Sequence, residues 1–506
     1  MLLRNVVEYL EATIKAVPCP GKPAFADEKA AIDFYELYEM SRSVGSFLLG
    51  LKIYKQPVVV FMEKSAFVPA AFFGVVYGGN YYVPIDSEIP AVRIKLILKT
   101  VNPPLIICDE IGAGLVEGWG LPYSTVVFSE IAKTPVDYEG LREVFDLSID
   151  SDPLYVVFTS GSTGVPKGVI TSHRSVIDYV EQLSDVLGIG PGTVFGLQSP
   201  FYLDACLKEI YPTIKFGATT WVVPKSLFMF PVRLLEFLND KSVNTICWVA
   251  SALGLVSGLG ALEKVVPDCL TTVAFGSEVI AQKHLNRWRR TLSDARFVHL
   301  YGPTEATGMS VFYEVDRDFS DGEPIPIGRP FKNTGVVLLS DDGDVVPVGE
   351  RGEICIRGAC LALGYFGDWE KTESSFVQNP LSAFPDLIYK TGDIGYFGED
   401  GELYFVSRRD HQIKHMGYRI ELAEIELAAV GIDGVQMAGA FFDDVKSRII
   451  LCYMAEEHVA RADVVAGLKA DLPRYMVPYA VHKLDALPLT AGGKIDRNAL
   501  KVLCAN

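Results

Sequence analysis

A chain of 506 residues, 49% hydrophobic and 22% charged, is longer than one core serves and too apolar for disorder, so two or more folded domains are expected. Its 63 acidic against 46 basic side chains give a formal charge of −17, which speaks against a nucleic-acid binder, since such surfaces are normally basic. The nine cysteines form no CxxC pair, so neither a zinc site nor a disulfide framework is indicated, and a reducing cytoplasm fits best.

The N-terminal stretch MLLRNVVEYLEATIKAV reads as an amphipathic helix; it lacks the apolar core and cleavage site of a secretion signal. Val58–Phe61 reads as a buried strand. Phe67–Tyr77, the most apolar stretch, reads as a buried helix ended by Gly78 and Gly79, too short to cross a bilayer, so no membrane insertion is expected. Leu105–Cys108, Leu154–Phe158, Thr245–Val249, Thr271–Phe275 and Phe297–Leu300 are further short apolar runs separated by helical stretches. That alternation predicts an α/β architecture with buried, largely parallel sheets. From about residue 330 the runs Val336–Leu339, Glu353–Ile356 and Leu403–Val406 are spaced by turns such as DDGD and GEDGE, which predicts a β-rich subdomain over about 330–408. The last hundred residues return to mixed α and β. The expected division is a large N-terminal domain, 1–408, and a small α+β C-terminal domain, 410–506.

Five motifs carry chemistry. Thr159–Gly168 reads TSGSTGVPKG directly after the strand LYVVF. Gly161, Gly164 and Gly168 let the backbone turn tightly and approach a ligand. Thr159, Ser160, Ser162 and Thr163 add hydroxyls, successive N–H groups make an anion-binding concavity, and Lys167 supplies a cation. The Walker pattern GxxxxGK[ST] is absent. The string YVVFTSGSTGVPKGVITSH closely resembles the signature loop of the adenylate-forming enzymes: acyl-CoA synthetases, luciferases and the adenylation domains of nonribosomal peptide synthetases.

The remaining motifs follow in that family's order, and the resemblance runs from roughly residue 30 to the end. LYGPTEAT (300–307) resembles the second nucleotide motif; it implies that Tyr301 stacks on adenine, Thr304 bonds the α-phosphate and Glu305 holds Mg²⁺, an ion that prefers hard oxygen ligands. YKTGD implies that Asp393 binds the ribose hydroxyls. SRRDHQIKHMGYRIELAEIE resembles the hinge and the start of the mobile C-terminal domain, with Arg408 on the nucleotide, Asp410 as hinge and Gly417 approaching a second site. Glu421 and Glu424 read as helix-opening carboxylates. LPLTAGGKIDR implies a catalytic lysine at Lys494.

PFYLDACLKEIYP resembles the pocket motif of amino-acid-activating members, in which Asp204 pairs with the substrate ammonium. The other pocket positions, carried over singly, are Ala205, Lys208, Cys247, Val273, Phe275, Leu300, Gly308 and Met309. Phe275, Leu300 and Met309 suggest a small pocket, while Lys208 suits an acidic side chain or snorkels to solvent. The resemblance thus implies use of ATP and Mg²⁺ to make an aminoacyl-AMP, followed by transfer to the phosphopantetheine thiol of a separate holo carrier protein, since no carrier motif follows in this sequence. The stretches FGSEVIAQKHLNRWRR, PIPIGRP and IKHMGYRIEL also resemble stand-alone ligases such as D-alanine–carrier protein ligase. The alternatives are transfer to free coenzyme A, a luciferase-like oxidation, and a non-catalytic binding paralogue.

Overall fold

The computed structural model describes residues 3–16, 21–161, 164–409, 412–443, 446–489 and 495–504. The chain divides into two compact units. The first comprises residues 1–86, 101–157 and 168–407, and the second 87–100, 158–167 and 408–506.

Two large sheets make the frame of the first unit, as the α/β reading expected. In one, the strands Arg296–Tyr301, Thr272–Gly276, Thr245–Val249, Val194–Leu197, Thr219–Val222 and Pro23–Ala26 lie side by side and parallel, with antiparallel strands on both edges. In the other, Pro57–Phe61 sits between Tyr81–Ile85 and Leu105–Cys108, again parallel. These strands are apolar along their whole length because both faces are covered; all five residues of Pro57–Phe61 and of Thr245–Val249 are buried. The apolar run predicted as a helix is the helix Val68–Tyr77, buried at every position and capped at Gly78. Among the described residues no helix is long and apolar enough to cross a membrane.

The β-rich subdomain is an antiparallel sheet in which Gly352–Gly358 lies between Thr334–Leu339 and Leu387–Phe397, with Leu403–Arg408 on the far side of the latter. The second unit contains the hairpin Gln412–His415 with Tyr418–Glu421, the helix Leu422–Val430, and a sheet of Val435–Asp443, Arg448–Ala455 and Ala480–Lys483. It also holds two stretches that the 1–408 boundary assigned elsewhere, 87–100 and 158–167. Glu424 shows why the first joins it: the carboxylate is buried and ion-paired with Arg93. It lies in the first turn of the helix Leu422–Val430, as expected of a helix-opening carboxylate, and Glu421 is the residue before that helix.

Candidate functional site

The site of the first unit forms where the parallel strands end. After Arg296–Tyr301 the chain turns through Gly302-Pro303 into a single 3₁₀ turn, Thr304–Ala306. Gly302 is required there, since a Cβ would stand 2.4 Å from the Gly308 carbonyl oxygen. This turn carries Thr304 and Glu305. Glu305 is fully buried; Tyr365 Oη donates to its Oε1 at 2.7 Å, and its backbone carbonyl accepts from Ala362 N at 2.9 Å. Tyr301 Oη donates to Asp393 Oδ2 at 2.5 Å. The two expected nucleotide motifs, 92 residues apart in sequence, are therefore joined side chain to side chain, with Asp393 1% exposed.

Asp204 opens the 3₁₀ turn Asp204–Cys206, which runs into the helix Leu207–Phe216. Part of its surface stays accessible although protein surrounds it, as for a side chain at the floor of a cleft. Burial raises the Asp204 carboxyl above its ordinary pKa, while a polar contact from Thr304 and the charge of Lys208 oppose that rise. Gly308 is next to it: a Cβ there would stand 3.8 Å from Asp204 Oδ2 and 4.0 Å from Tyr179 Oη. Thus Asp204, Thr304, Gly308 and Tyr179 converge, and Thr304 and Glu305 share one turn.

Not all of the expected pocket residues share this location. Cys247 pairs with Ala274, and Gly276 with Leu300, so these four side-chain positions face one side of the sheet. Cys247, Leu300 and Met309 accordingly pack in one core with Tyr179. Val273 and Phe275 are one residue out of step and face the opposite side, with Ile246 and Trp248. Phe275 stacks on His299, centroids 4.9 Å apart. Alternation along the strand thus places Val273 and Phe275 in a different core from Cys247, Leu300 and Met309.

The phosphate loop is described through Thr159, Ser160, Gly161, Gly164 and Lys167; Ser162 and Thr163 lie outside the described residues. Gly161 is obligatory, because a Cβ would stand 2.0 Å from Val165 O. Thr159 Oγ1 is buried without a hydrogen-bond partner, an orphan that a phosphate oxygen would satisfy. Ser160 Oγ is instead engaged, donating to Arg419 O at 2.6 Å. Arg408 ends its strand, and Gly417 takes φ +81° in the hairpin turn. Asp410 and Lys494 lie outside the described residues; an antiparallel bridge joins Leu489 to Ile495 on either side of the latter.

No cluster of three or more His, Cys, Asp or Glu side chains able to cage a metal occurs among the described residues. A buried carboxylate such as Glu305 fits Mg²⁺ that arrives on phosphates, since that ion commonly takes one or two carboxylates and completes its shell with phosphate oxygens and water.

Two residues of this region were missed in the sequence. Glu209 is completely buried with neither carboxyl oxygen hydrogen-bonded, and burial pushes its pKa up to about 8. Tyr179 lies on the helix His173–Leu187. The signal for Tyr179 was the strong amphipathicity of that helix, which marks it as buried but not as polar-facing; Glu209 gave none.

Residues 13–366 match the family model described as AMP-binding enzyme. The chain is 29% identical to bacitracin synthase 1 of Bacillus licheniformis over 96% of its own length and 9% of that protein's. It thus spans a small part of such long synthases. It is also 29% identical to the D-alanine–D-alanyl carrier protein ligase of the same species, over 95% of this chain and 96% of that one. Among solved structures, IdnL1 matches with a TM-score of 0.81 and 28% identity, covering 96% of this chain and all of that one.

Proposed function

Since the chain belongs to the AMP-binding enzyme family, we propose that it activates the carboxylate of an amino acid with ATP as aminoacyl-AMP, releasing pyrophosphate. The acyl group then passes to the phosphopantetheine thiol of a carrier protein. The observation that carries this reading is Asp204: a carboxylate surrounded by protein, still accessible, with Thr304 of the nucleotide motif against it. A buried charge requires a partner, and a substrate ammonium is the partner that would leave the substrate carboxylate beside Thr304.

In this mechanism a substrate carboxylate oxygen attacks the α-phosphorus in line with the departing pyrophosphate, so the protein mainly positions the reactants and balances charge. Asp204 holds the ammonium and thereby aims the carboxylate. Thr304 donates to the α-phosphate, Asp393 takes the ribose hydroxyls with Tyr301 holding its orientation, and Tyr301 offers its ring face to adenine. The loop at 159–168, with Lys167, cradles the outer phosphates, and Lys494 neutralises charge as the new bond forms. Mg²⁺, which Glu305 would hold, supplies positive charge at the phosphates. Rotation at Asp410 would then bring Gly417 towards the site for thiol attack. A carrier protein as acceptor is supported by the near-complete match to a carrier protein ligase; free coenzyme A is the alternative.

The test is amino-acid-dependent exchange of labelled pyrophosphate into ATP across D-, L- and β-amino acids. Exchange with one or two of them is expected, and Asp204→Asn should raise the amino acid KM steeply while ATP still binds. Silence across the panel with folded protein and Mg²⁺ present would sink the reading. Offering holo carrier and coenzyme A in parallel distinguishes the acceptors.

A further inference from the structure

The sheet Val435–Asp443, Arg448–Ala455 and Ala480–Lys483 of the second unit has two faces, and they are covered differently. Ile449, Leu451 and Tyr453 face one side, where the helices Leu422–Val430 and Arg461–Asp471 pack on them. Ile450 and Cys452 alternate to the other side and pack with Phe441 and with Leu500 of the short helix Arg497–Cys504. Gly439, opposite Cys452, makes room for that helix: a Cβ there would stand 2.9 Å from Ile495 and from Leu500.

A helix of 8 residues is too short to hold itself together in water, so its contacts with the sheet keep it folded. Its first turn is fastened by Arg497, which donates to Ala440 O at 3.0 Å and to Glu426 Oε1 at 2.5 Å. Towards its other end Val502 and Leu503 are exposed. There Cys504 reaches back to the sheet, with its Sγ 3.2 Å from Cys452 Sγ. The two residues are 52 apart in sequence, yet their sulfurs need to close by only about 1.2 Å to reach a bond of about 2.05 Å. Cys452 is fully buried and Cys504 is partly exposed. Two thiols in contact, one open to solvent and one behind it, make an attacking and a resolving cysteine.

We infer that Cys452 and Cys504 form a reversible thiol–disulfide site, a cross-link that fastens the far end of the helix Arg497–Cys504 to the sheet. The oxidant is a low-molecular-weight disulfide. The thiolate of the accessible Cys504 attacks one of its sulfurs, which gives a mixed disulfide and releases one small thiol. Cys452 then loses its proton and attacks Cys504 Sγ, releasing the second small thiol. One S–S bond is consumed and one is formed. The cysteine pair gives up two electrons and two protons, and the oxidant takes them up as two thiols. Burial, with the other sulfur beside it, pushes the Cys452 thiol up, so the second step is the slower one. The site needs no substrate and does not depend on the amino-acid reading above.

The experiment incubates the folded full chain with oxidised glutathione and maps its peptides without reduction. Peptides joined through Cys452 and Cys504 are expected, with no glutathione retained on either residue. In Cys452→Ser, Cys504 should instead keep a glutathione, because nothing resolves it. Tryptic cleavage after Arg497 and Lys501 should slow by at least about 10-fold when the bond closes and recover with dithiothreitol. In Cys504→Ser the same treatment should leave the cleavage rate unchanged. Three results overturn the inference: glutathione that stays on wild-type Cys504 unresolved, a Cys452–Cys504 cross-link that forms only in denaturant, and cleavage equally fast before and after closing. So does a Cys504 that stays unmodified while Cys269, the other partly exposed cysteine among the described residues, reacts. The wild-type map and cleavage rates decide the matter even if a variant fails to fold.

Discussion

Replacing Glu209 with glutamine should remove a pH dependence that the wild-type fold carries. Glu209 is wholly buried, neither carboxyl oxygen has a hydrogen-bond partner, and its pKa is pushed from the ordinary 4.5 to about 8. Between those values the folded protein keeps a proton that the unfolded chain has lost. Unfolding releases it, so stability falls as pH rises from about 5 to about 8 and is flat above. A shift of this size, at about 1.4 kcal/mol per pH unit, amounts to on the order of 4 kcal/mol across that window. Glutamine has the same shape and no proton to lose. The variant should therefore match the wild type near pH 5 and exceed it near pH 8, by several degrees in melting temperature. The assay is thermal unfolding of both proteins from pH 5 to pH 9 without ligands. Parallel profiles would refute the reasoning: Glu209 would then be ionised in the fold and paired with Lys208 or Lys64.

The acid side should be set partly by His173, whose imidazole is buried, accepts from Val6 N at 3.3 Å and is pushed down to about 4 by burial. Because its folded pKa lies below its unfolded value, stability is lost as pH falls from about 6.5 to 4; NMR of labelled histidine should find one ring titrating near 4 rather than near 6.5. Gly161→Ala puts a Cβ 2.0 Å from Val165 O, so the phosphate loop must shift and the KM for ATP should rise at least about 10-fold, measured by exchange at saturating amino acid. Lys494→Ala should abolish adenylate formation with nucleotide binding kept, seen as lost exchange but retained binding of a fluorescent ATP analogue; an unchanged rate would remove Lys494 from the mechanism.

Local chemistry wrote much of this protein into its sequence. Apolar runs flanked by turn residues are strands wherever they are too short to be helices, which is why Leu105–Cys108 and Thr245–Val249 have the extents read from sequence. Helix Val68–Tyr77 was legible because no side chain in it tolerates water. The glycines of the phosphate loop and of YGPTEATG announced backbone turns, since only glycine fits where a Cβ would strike a carbonyl. Tertiary structure decided what depends on register and neighbours. Alternation along Thr272–Gly276 is plain in the sequence, but only its pairing with Thr245–Val249 fixed that Ala274 and Gly276, and not Val273 and Phe275, share a face with Cys247. The bond from Tyr301 to Asp393 joins strands of different sheets, a closeness that neither segment encodes alone. Whether Lys208 snorkels to solvent or is buried, and whether Glu209 is an ion or a neutral acid, depends on how much water surrounding chain removes. A side chain's charge belongs to its environment, and that environment is assembled from residues far apart in sequence.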